Sequence, residues 1–87
     1  MMMELKDTVG LMLSADYKER FKAEYWQTKI RYEKLKAFCN KIEAAAMTGR
    51  GEAIHDCPYN VLRDQQRDMG NYLHILELRA VIEEVEL

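Results

Sequence analysis

Residues 16–47 read DYKERFKAEYWQTKIRYEKLKAFCNKIEAAAM, a long run without a glycine or a proline. Apolar and small residues recur in it at alternating steps of four and three, namely Phe21, Tyr25, Thr28, Tyr32, Leu35, Cys39, Ile42 and Ala46. A period of about 3.5 residues, held over several turns, is typical of a helix packed along its length against another helix. Charged side chains occupy the opposite face, which we expect to lie in solvent. The run therefore predicts one long helix with a helical partner.

Turn-forming residues mark where the long helices begin and end. Asp16 followed by Glu19 is an N-terminal capping pattern, and Ser14 is a competing cap. Gly49 suits the left-handed conformation that commonly ends a helix. Pro58 suits the first turn of the next helix, where a missing N–H costs nothing.

The whole chain is predicted to be one all-α domain spanning residues 1–87. We expect hairpin helices over 16–47 and 58–84, antiparallel to each other and preceded by a short amphipathic N-terminal helix within residues 1–15. One proline and four glycines are too few for a small sheet protein, which needs more turn residues. The fold class predicted from the sequence is thus a long antiparallel helical hairpin with a short N-terminal helix.

The second hairpin helix carries two neighbouring stripes at helical spacing. The first comprises Leu62, Gln66, Met69, Leu73, Leu76 and Ala80, and the second comprises Val61, Tyr72, Ile75, Arg79 and Ile82. One apolar stripe is enough to pack a hairpin, so the second predicts cover from another subunit or from the N-terminal segment. Two helices alone also make a poor core. We therefore expect a homo-oligomer.

Composition limits the classes of function. The formal net charge is −2, from 13 basic and 15 acidic side chains, which argues against a protein that binds duplex DNA through bulk positive charge. No apolar run approaches the length of a membrane span. The chain starts without the basic region and apolar core of a signal peptide. We expect a cytosolic protein whose two cysteines stay reduced, with no DNA or membrane partner.

No catalytic or metal-binding constellation is recognisable. The carboxylates form no acid–base pair with an identifiable context, and neither a nucleophile motif nor a phosphate-binding glycine loop is present. His55, Asp56 and Cys57, with Cys39 and His74 elsewhere, lack the paired spacing of a zinc site. We predict a binding protein that is not an enzyme and has neither a metal nor a cofactor.

The stretch from Tyr17 to Tyr32 interleaves aromatic rings with cations. Tyr17 or Trp26 could stack on a nucleobase, while Lys29 and Arg31 could pair with phosphates. The plainer interpretation is that the rings are core and the charges decorate a solvated face, and periodicity alone favours it.

Arg79 lies on an otherwise apolar stripe, where a bare cation is costly. Three interpretations follow. The side chain extends to solvent, it pairs with a carboxylate of its own chain, or it pairs with a ligand phosphate.

Both hairpin helices resemble a known family. Residues 20–31 read RFKAEYWQTKIR and are followed by Lys34 and Leu35; the second half carries Cys57-Pro58, Leu62, Gln65, Met69, Tyr72-Leu73, Leu76-Glu77 and Arg79-Ala80. Together these positions, over about residues 16–84, resemble the helical hairpin shared by phage anti-CBASS proteins and one class of anti-Thoeris proteins. The small size is more similar to the anti-CBASS type.

The resemblance implies a phage-encoded sponge acting in the cytoplasm of the infected bacterial host. Such proteins bind cyclic oligonucleotide messengers, such as cyclic GMP-AMP or cyclic triadenylate, without cleaving them, and they assemble as hexamers of intertwined hairpins. Cyclic dinucleotides sit between subunits, where a tyrosine stacks on a base, and cyclic trinucleotides sit near three-fold axes. The resemblance places Tyr17 and Lys29 in the first type of site and Thr28 and Arg79 in the second. The full candidate set of ligand-binding residues is Tyr17, Arg20, Thr28, Lys29, Arg31 and Arg79.

Two features depart from that family, and one rival function stays open. The loop over residues 47–56 is longer and more charged than the usual connection, and Thr28 stands where leucine is commonest. Both affect ligand preference rather than fold. The rival is a helical protein–protein interaction module with no nucleotide ligand; a small phosphodiesterase is a distant third because no catalytic set can be assembled.

Overall fold

A computed structural model describes residues 3–51 and 55–87, and every regular element in them is helical. The elements are a 3-10 helix over Leu5–Thr8, α1 over Val9–Met12, α2 over Tyr17–Thr48 and α3 over Tyr59–Ile82. The predicted all-α class is confirmed. The long loop predicted over residues 47–56 lies partly outside the described residues, since positions 52–54 are not among them.

Local hydrogen bonds explain where α2 begins and ends. The Asp16 side chain accepts the backbone N–H of Lys18 at 3.0 Å, so Asp16 is the N-cap. Ser14 instead accepts the N–H of Asp16 itself at 3.1 Å and holds the entering chain. Gly49 ends the helix with φ +65°, a conformation that glycine adopts without steric cost, and its N–H bonds to Ala45.

The two long helices run antiparallel, side by side. The hydroxyl of Tyr25 donates to Glu77 at 2.8 Å, near one end of the pair. Arg63 bonds to Glu43 at 2.6 Å, towards the loop. Residue numbers therefore fall along α3 as they rise along α2, which defines the hairpin.

The hairpin core is concentrated at the end away from the loop. Its buried side chains are Phe21, Tyr25, Leu73, Leu76, Ala80 and Val85, with Trp26 and Tyr32 packed against them. Cys39 extends this line towards the loop and is fully buried. One stripe position was predicted wrongly: Ala46, in the last turn of α2, is exposed.

The C-terminus folds back onto the core. Helix α3 ends at Ile82, two residues before the predicted position 84. Glu84 adopts a left-handed conformation with φ +58°, and the N–H of Val85 bonds to the carbonyl of Ala80 at 2.8 Å. This six-to-one bond is the Schellman pattern, and it carries Val85 into the core.

The N-terminal segment, which we define as residues 3–13, packs on α2. Thr8 is fully buried there; its hydroxyl donates to the carbonyl of Leu5 at 2.7 Å and accepts from the amide of Gln27 at 2.9 Å. Ala23 is buried although it lies off the predicted stripe, on the face of α2 that carries Gln27. This helix is thus covered on two sides.

The second stripe of α3 is exposed in the described chain. We predicted that either another subunit or the N-terminal segment covers this stripe. Residues 3–13 of the N-terminal segment do not cover it, because they pack on α2 and not on α3. The apolar side chains left open on α3 are Val61, Tyr72, Ile75, Leu78, Val81 and Ile82. An apolar surface of this kind usually marks an interface.

The Tyr25–Glu77 contact makes the stability of the fold depend on pH in the alkaline range. Burial, followed by the hydrogen bond to Glu77, raises the pKa of Tyr25 from 10.0 to about 12. The neutral phenol is therefore favoured in the folded chain, so its stabilisation is complete below about pH 10 and is lost as the pH rises towards about 12.

We expect Tyr25→Phe to cost about 1 kcal/mol at neutral pH, because one hydrogen bond is lost and the exposed Glu77 carboxylate regains water. Between about pH 10 and pH 12, we also expect the free energy of unfolding to fall less in the variant than in the parent. Each unit by which folding raises the pKa of Tyr25 accounts for about 1.4 kcal/mol of this difference. Thermal unfolding across this range is the measurement. Parallel pH curves for the two proteins would contradict the role assigned to Tyr25.

Candidate functional site

The residues proposed for the dinucleotide site do not meet within one chain. Tyr17 lies in the first turn of α2 and is half exposed. Lys29 follows twelve positions later, which places it about 18 Å farther along the helix and about 120° around it. The two residues therefore do not form one compact site on a single chain.

Arg20 and Arg31 are both exposed on α2. The guanidinium of Arg20 donates to the carbonyl of Ser14 at 2.8 Å, which ties it to the chain that enters the helix. Arg31 and the partly exposed Thr28 lie about two turns or more from Arg20 towards the middle of the helix. The four predicted cations and the threonine thus fall in two regions of the hairpin: Thr28, Lys29 and Arg31 lie within one turn of α2, while Arg20 and Arg79 lie near Phe21 at the other end of the candidate set.

Arg79 pairs with a carboxylate of its own chain. Of the three interpretations of Arg79, this is the one that holds in a single hairpin; the others were extension to solvent and pairing with a ligand phosphate. Its Nε lies 2.7 Å from Glu83, and its guanidinium lies over the ring of Phe21, 4.8 Å from the centroid. The pairing raises the pKa of Arg79 and lowers that of Glu83. A ligand phosphate would have to share Arg79 with Glu83 or displace it.

Lys29 borders a cavity beside the N-terminal segment. It lies 3.1 Å from Glu33 and 6.0 Å from the centre of the Tyr32 ring. The cavity is an open groove of about 710 Å3 between the N-terminal segment and α2. Its lining comprises Met3, Glu4, Leu5, Lys6, Trp26, Lys29, Ile30, Glu33 and Lys34.

Sequence reasoning named Trp26 and Lys29 in this region but missed the rest of the groove. Lys6 and Lys34 reach it from two different elements. Helical periodicity detects residues that share one helix face, but it does not reveal which face a separate short segment covers. No sequence signal pointed to this wall.

A second cavity of about 420 Å3 lies between the long helices. Tyr32, Arg63, Gln66, Arg67, Gly70 and Asn71 line it. Gly70 permits the close approach here, because a Cβ at that position would lie 3.2 Å from the Tyr32 ring. Arg63 is already engaged, with bonds to Tyr59 and to Glu43 on α2.

The sequence raised a metal site and a membrane span as questions. Over residues 3–51 and 55–87, no group of three histidine, cysteine or acidic side chains is placed to hold a metal ion. Cys39 is a buried free thiol and Cys57 a partly buried one. No helix in the described ranges is both long and apolar enough to cross a membrane.

The fold and its surface define a small helical-hairpin protein whose long helices expose aromatic, cationic and apolar side chains. A family model described as Sequestin matches residues 15–82, which span both long helices and leave the N-terminal segment outside. The chain belongs to the Sequestin family, the anti-CBASS cyclic nucleotide sponges. The resemblance drawn from the sequence is therefore confirmed.

Membership places the chain in a sponge-type family rather than a known enzyme family. It implies binding of cyclic oligonucleotides as the general function. Neither a curated protein nor a solved structure matches the chain significantly.

Proposed function

We propose that this protein sequesters cyclic di- or trinucleotide messengers without cleaving them, in the cytoplasm of a bacterium infected by the phage that encodes it. Removal of free messenger leaves the host's immune effector inactive. The observation that carries the proposal is the family match over residues 15–82, which includes every residue of the candidate ligand set. Cyclic GMP-AMP and cyclic triadenylate are the representative ligands.

The charge of the chain suits such a ligand. A cyclic dinucleotide carries two phosphates, so a few well-placed cations neutralise it, and the net charge of −2 is no obstacle. Lys29 and Arg31 supply phosphate contacts from α2, and Tyr17 supplies a half-exposed ring for base stacking. A sponge needs no catalytic group, so tight binding is sufficient.

We further propose that the ligand sites lie between copies of the chain in a homo-oligomer, with a hexamer as the expected state. The separation of Tyr17 from Lys29 along α2 supports shared sites, because two copies can bring these residues closer together than one copy does. The exposed apolar side chains of α3 support assembly, since a small hairpin gains stability by burying them. Thr28 and Arg79 are assigned to the trinucleotide site, with Glu83 as the group that a phosphate has to displace from Arg79.

Calorimetric titration of two variants tests the proposed contacts. We expect Tyr17→Ala to weaken binding of cyclic GMP-AMP by about 5- to 140-fold, the usual effect of removing one stacked base contact. Lys29→Ala should weaken it by at least tenfold, because a charge-assisted hydrogen bond is lost. The matched control is Lys41→Ala, an exposed lysine farther along α2. Equal affinities for all four proteins would refute these assignments.

A protein–protein interaction module is the second candidate function, and the same exposed stripe on α3 favours it. A module of this kind would tolerate Tyr17→Ala and Lys29→Ala but would lose its partner when the stripe is altered. It would also give no heat with any cyclic di- or trinucleotide.

A further inference from the structure

The groove beside the N-terminal segment has the size and lining of a small-molecule site. Its volume of about 710 Å3 falls within the range of about 300–1,000 Å3 that is typical of ligand pockets. Trp26 and Ile30 provide apolar surface from α2, and Leu5 faces them from the other wall. Lysines from both walls border this apolar surface. An aromatic floor with a cationic border is the combination that a nucleotide requires.

Trp26 is held in place before any ligand arrives. Its ring meets that of Tyr25 edge to face, with centroids 5.2 Å apart and planes at 85°. Tyr25 is itself fixed by the core and by its bond to Glu77. A partly buried ring that is already ordered loses little conformational entropy when a base stacks on it.

The side chains that line the groove carry a net positive charge, which favours the binding of an anion. Lys6 lies 3.2 Å from Glu4, and Lys29 lies 3.1 Å from Glu33. Lys34 adds a third positive charge, and no carboxylate of the described residues pairs with it. The lining therefore has three cations against two anions, a positive balance in a chain whose net charge is negative.

One wall of the groove is fastened to α2 by the Gln27 amide, which donates to the buried Thr8 hydroxyl and, at 3.5 Å, to the sulfur of Met12. The Thr8 hydroxyl, which has no exposed surface, joins Leu5 on its own segment to Gln27 on α2. Leu5 lines the groove, so this contact sets the position of the wall relative to Trp26. The matched family region begins at residue 15 and does not include this wall.

We propose that this groove holds one base and one phosphate of the cyclic nucleotide, with Trp26 stacking on the base and Lys34 and Lys6 facing the phosphate. The N-terminal segment thereby completes the pocket, and the Thr8–Gln27 contact controls its affinity. This inference rests on the proposed function, because it assigns a binding surface for the same ligand. A second copy of the chain is the competing occupant of the groove.

Trp26 is the sole tryptophan, so its fluorescence reports on the groove directly. Titration of the full chain with cyclic GMP-AMP should change its emission, with the same Kd that calorimetry gives. Calorimetric affinity should fall about 5- to 140-fold in Trp26→Leu. The matched aromatic control is Tyr59→Leu at the far end of the hairpin, and thermal unfolding shows whether each variant is folded.

Two milder substitutions keep the test decisive if Trp26→Leu does not fold. Lys34→Ala should weaken binding about two- to fivefold, whereas Lys41→Ala should leave it unchanged. Thr8→Val keeps the shape of the side chain but removes both hydrogen bonds, and it should weaken binding about tenfold without changing the oligomer. Thr48→Val is its control, since the Thr48 hydroxyl bonds only within the last turn of α2.

The outcomes separate this inference from the proposed function. If the parent binds cyclic GMP-AMP while Trp26 emission and the affinities of the groove variants stay unchanged, the groove assignment is wrong and the sponge stands. If Trp26 emission follows protein dilution and not ligand, a second copy occupies the groove and the assignment also fails. If the parent gives no heat with any cyclic di- or trinucleotide, both fail.

Discussion

Ile75→Asp should convert the assembled protein into separate folded chains of 10.3 kDa and reduce ligand binding by more than 100-fold. Ile75 is 53% exposed and lies at the centre of the open apolar side chains of α3, between Tyr72 and Leu78. A carboxylate placed there would be buried without a partner when two copies meet, which costs several kcal/mol at each interface. Closed symmetry repeats that cost at every equivalent contact. Sites shared between copies would be lost together.

Light scattering and far-UV circular dichroism measure the two parts of this prediction. The parent should have several times the mass of one chain, and Ile75→Asp should have the mass of one chain with unchanged helicity. Ala37→Asp is the control, because it adds the same charge at an exposed position of α2, away from the open apolar side chains of α3. A parent that is monomeric at micromolar concentration would contradict the shared-site account before any variant is made.

Leu76→Asp should unfold the chain altogether. Leu76 is 1% exposed and belongs to the core cluster with Phe21 and Tyr25. Loss of its packing costs about 2–5 kcal/mol, and burial of a carboxylate among aromatic and aliphatic side chains adds to that. A domain of this size is stabilised by only about 4–13 kcal/mol. Far-UV circular dichroism should therefore show loss of helix at 25 °C.

The same substitution at three positions thus has three expected results. Position 37 on α2 should tolerate aspartate, position 75 should lose assembly, and position 76 should lose the fold. Consecutive residues of a helix lie about 100° apart, so positions 75 and 76 face different surroundings. Folded, fully assembled protein at position 76 would contradict the core, and assembled protein at position 75 would contradict the interface.

The sequence predicted the hairpin because its signals are local and periodic. Asp16 and Gly49 determine where α2 begins and ends through bonds to their own neighbours along the chain. The first stripe of α3 is half or fully buried because helical spacing alone places those residues on one face. Ala46 was the exception, since periodicity does not reveal how closely the ends of two helices pack.

The surroundings of the site were harder to predict because they depend on contacts between elements. Nothing in the sequence shows that Thr8 bonds to Gln27, or that Lys6 thereby reaches the surface around Trp26. The carboxylate partner of Arg79 was one of three open possibilities, and the choice required the position of Glu83 at the end of α3. The six predicted ligand residues stay predictions, and the separation of Tyr17 from Lys29 along α2 is compatible with the shared sites that we propose.

Equilibrium dialysis with limiting messenger tests the central claim most directly. Excess protein is placed on one side of the membrane with cyclic GMP-AMP, and in a second experiment with cyclic triadenylate. The proposed sponge should deplete at least one messenger from the protein-free side, and heat denaturation should release it chemically intact. Equal concentrations on both sides for both messengers would contradict sequestration, and recovery of a linear product would show an enzyme instead.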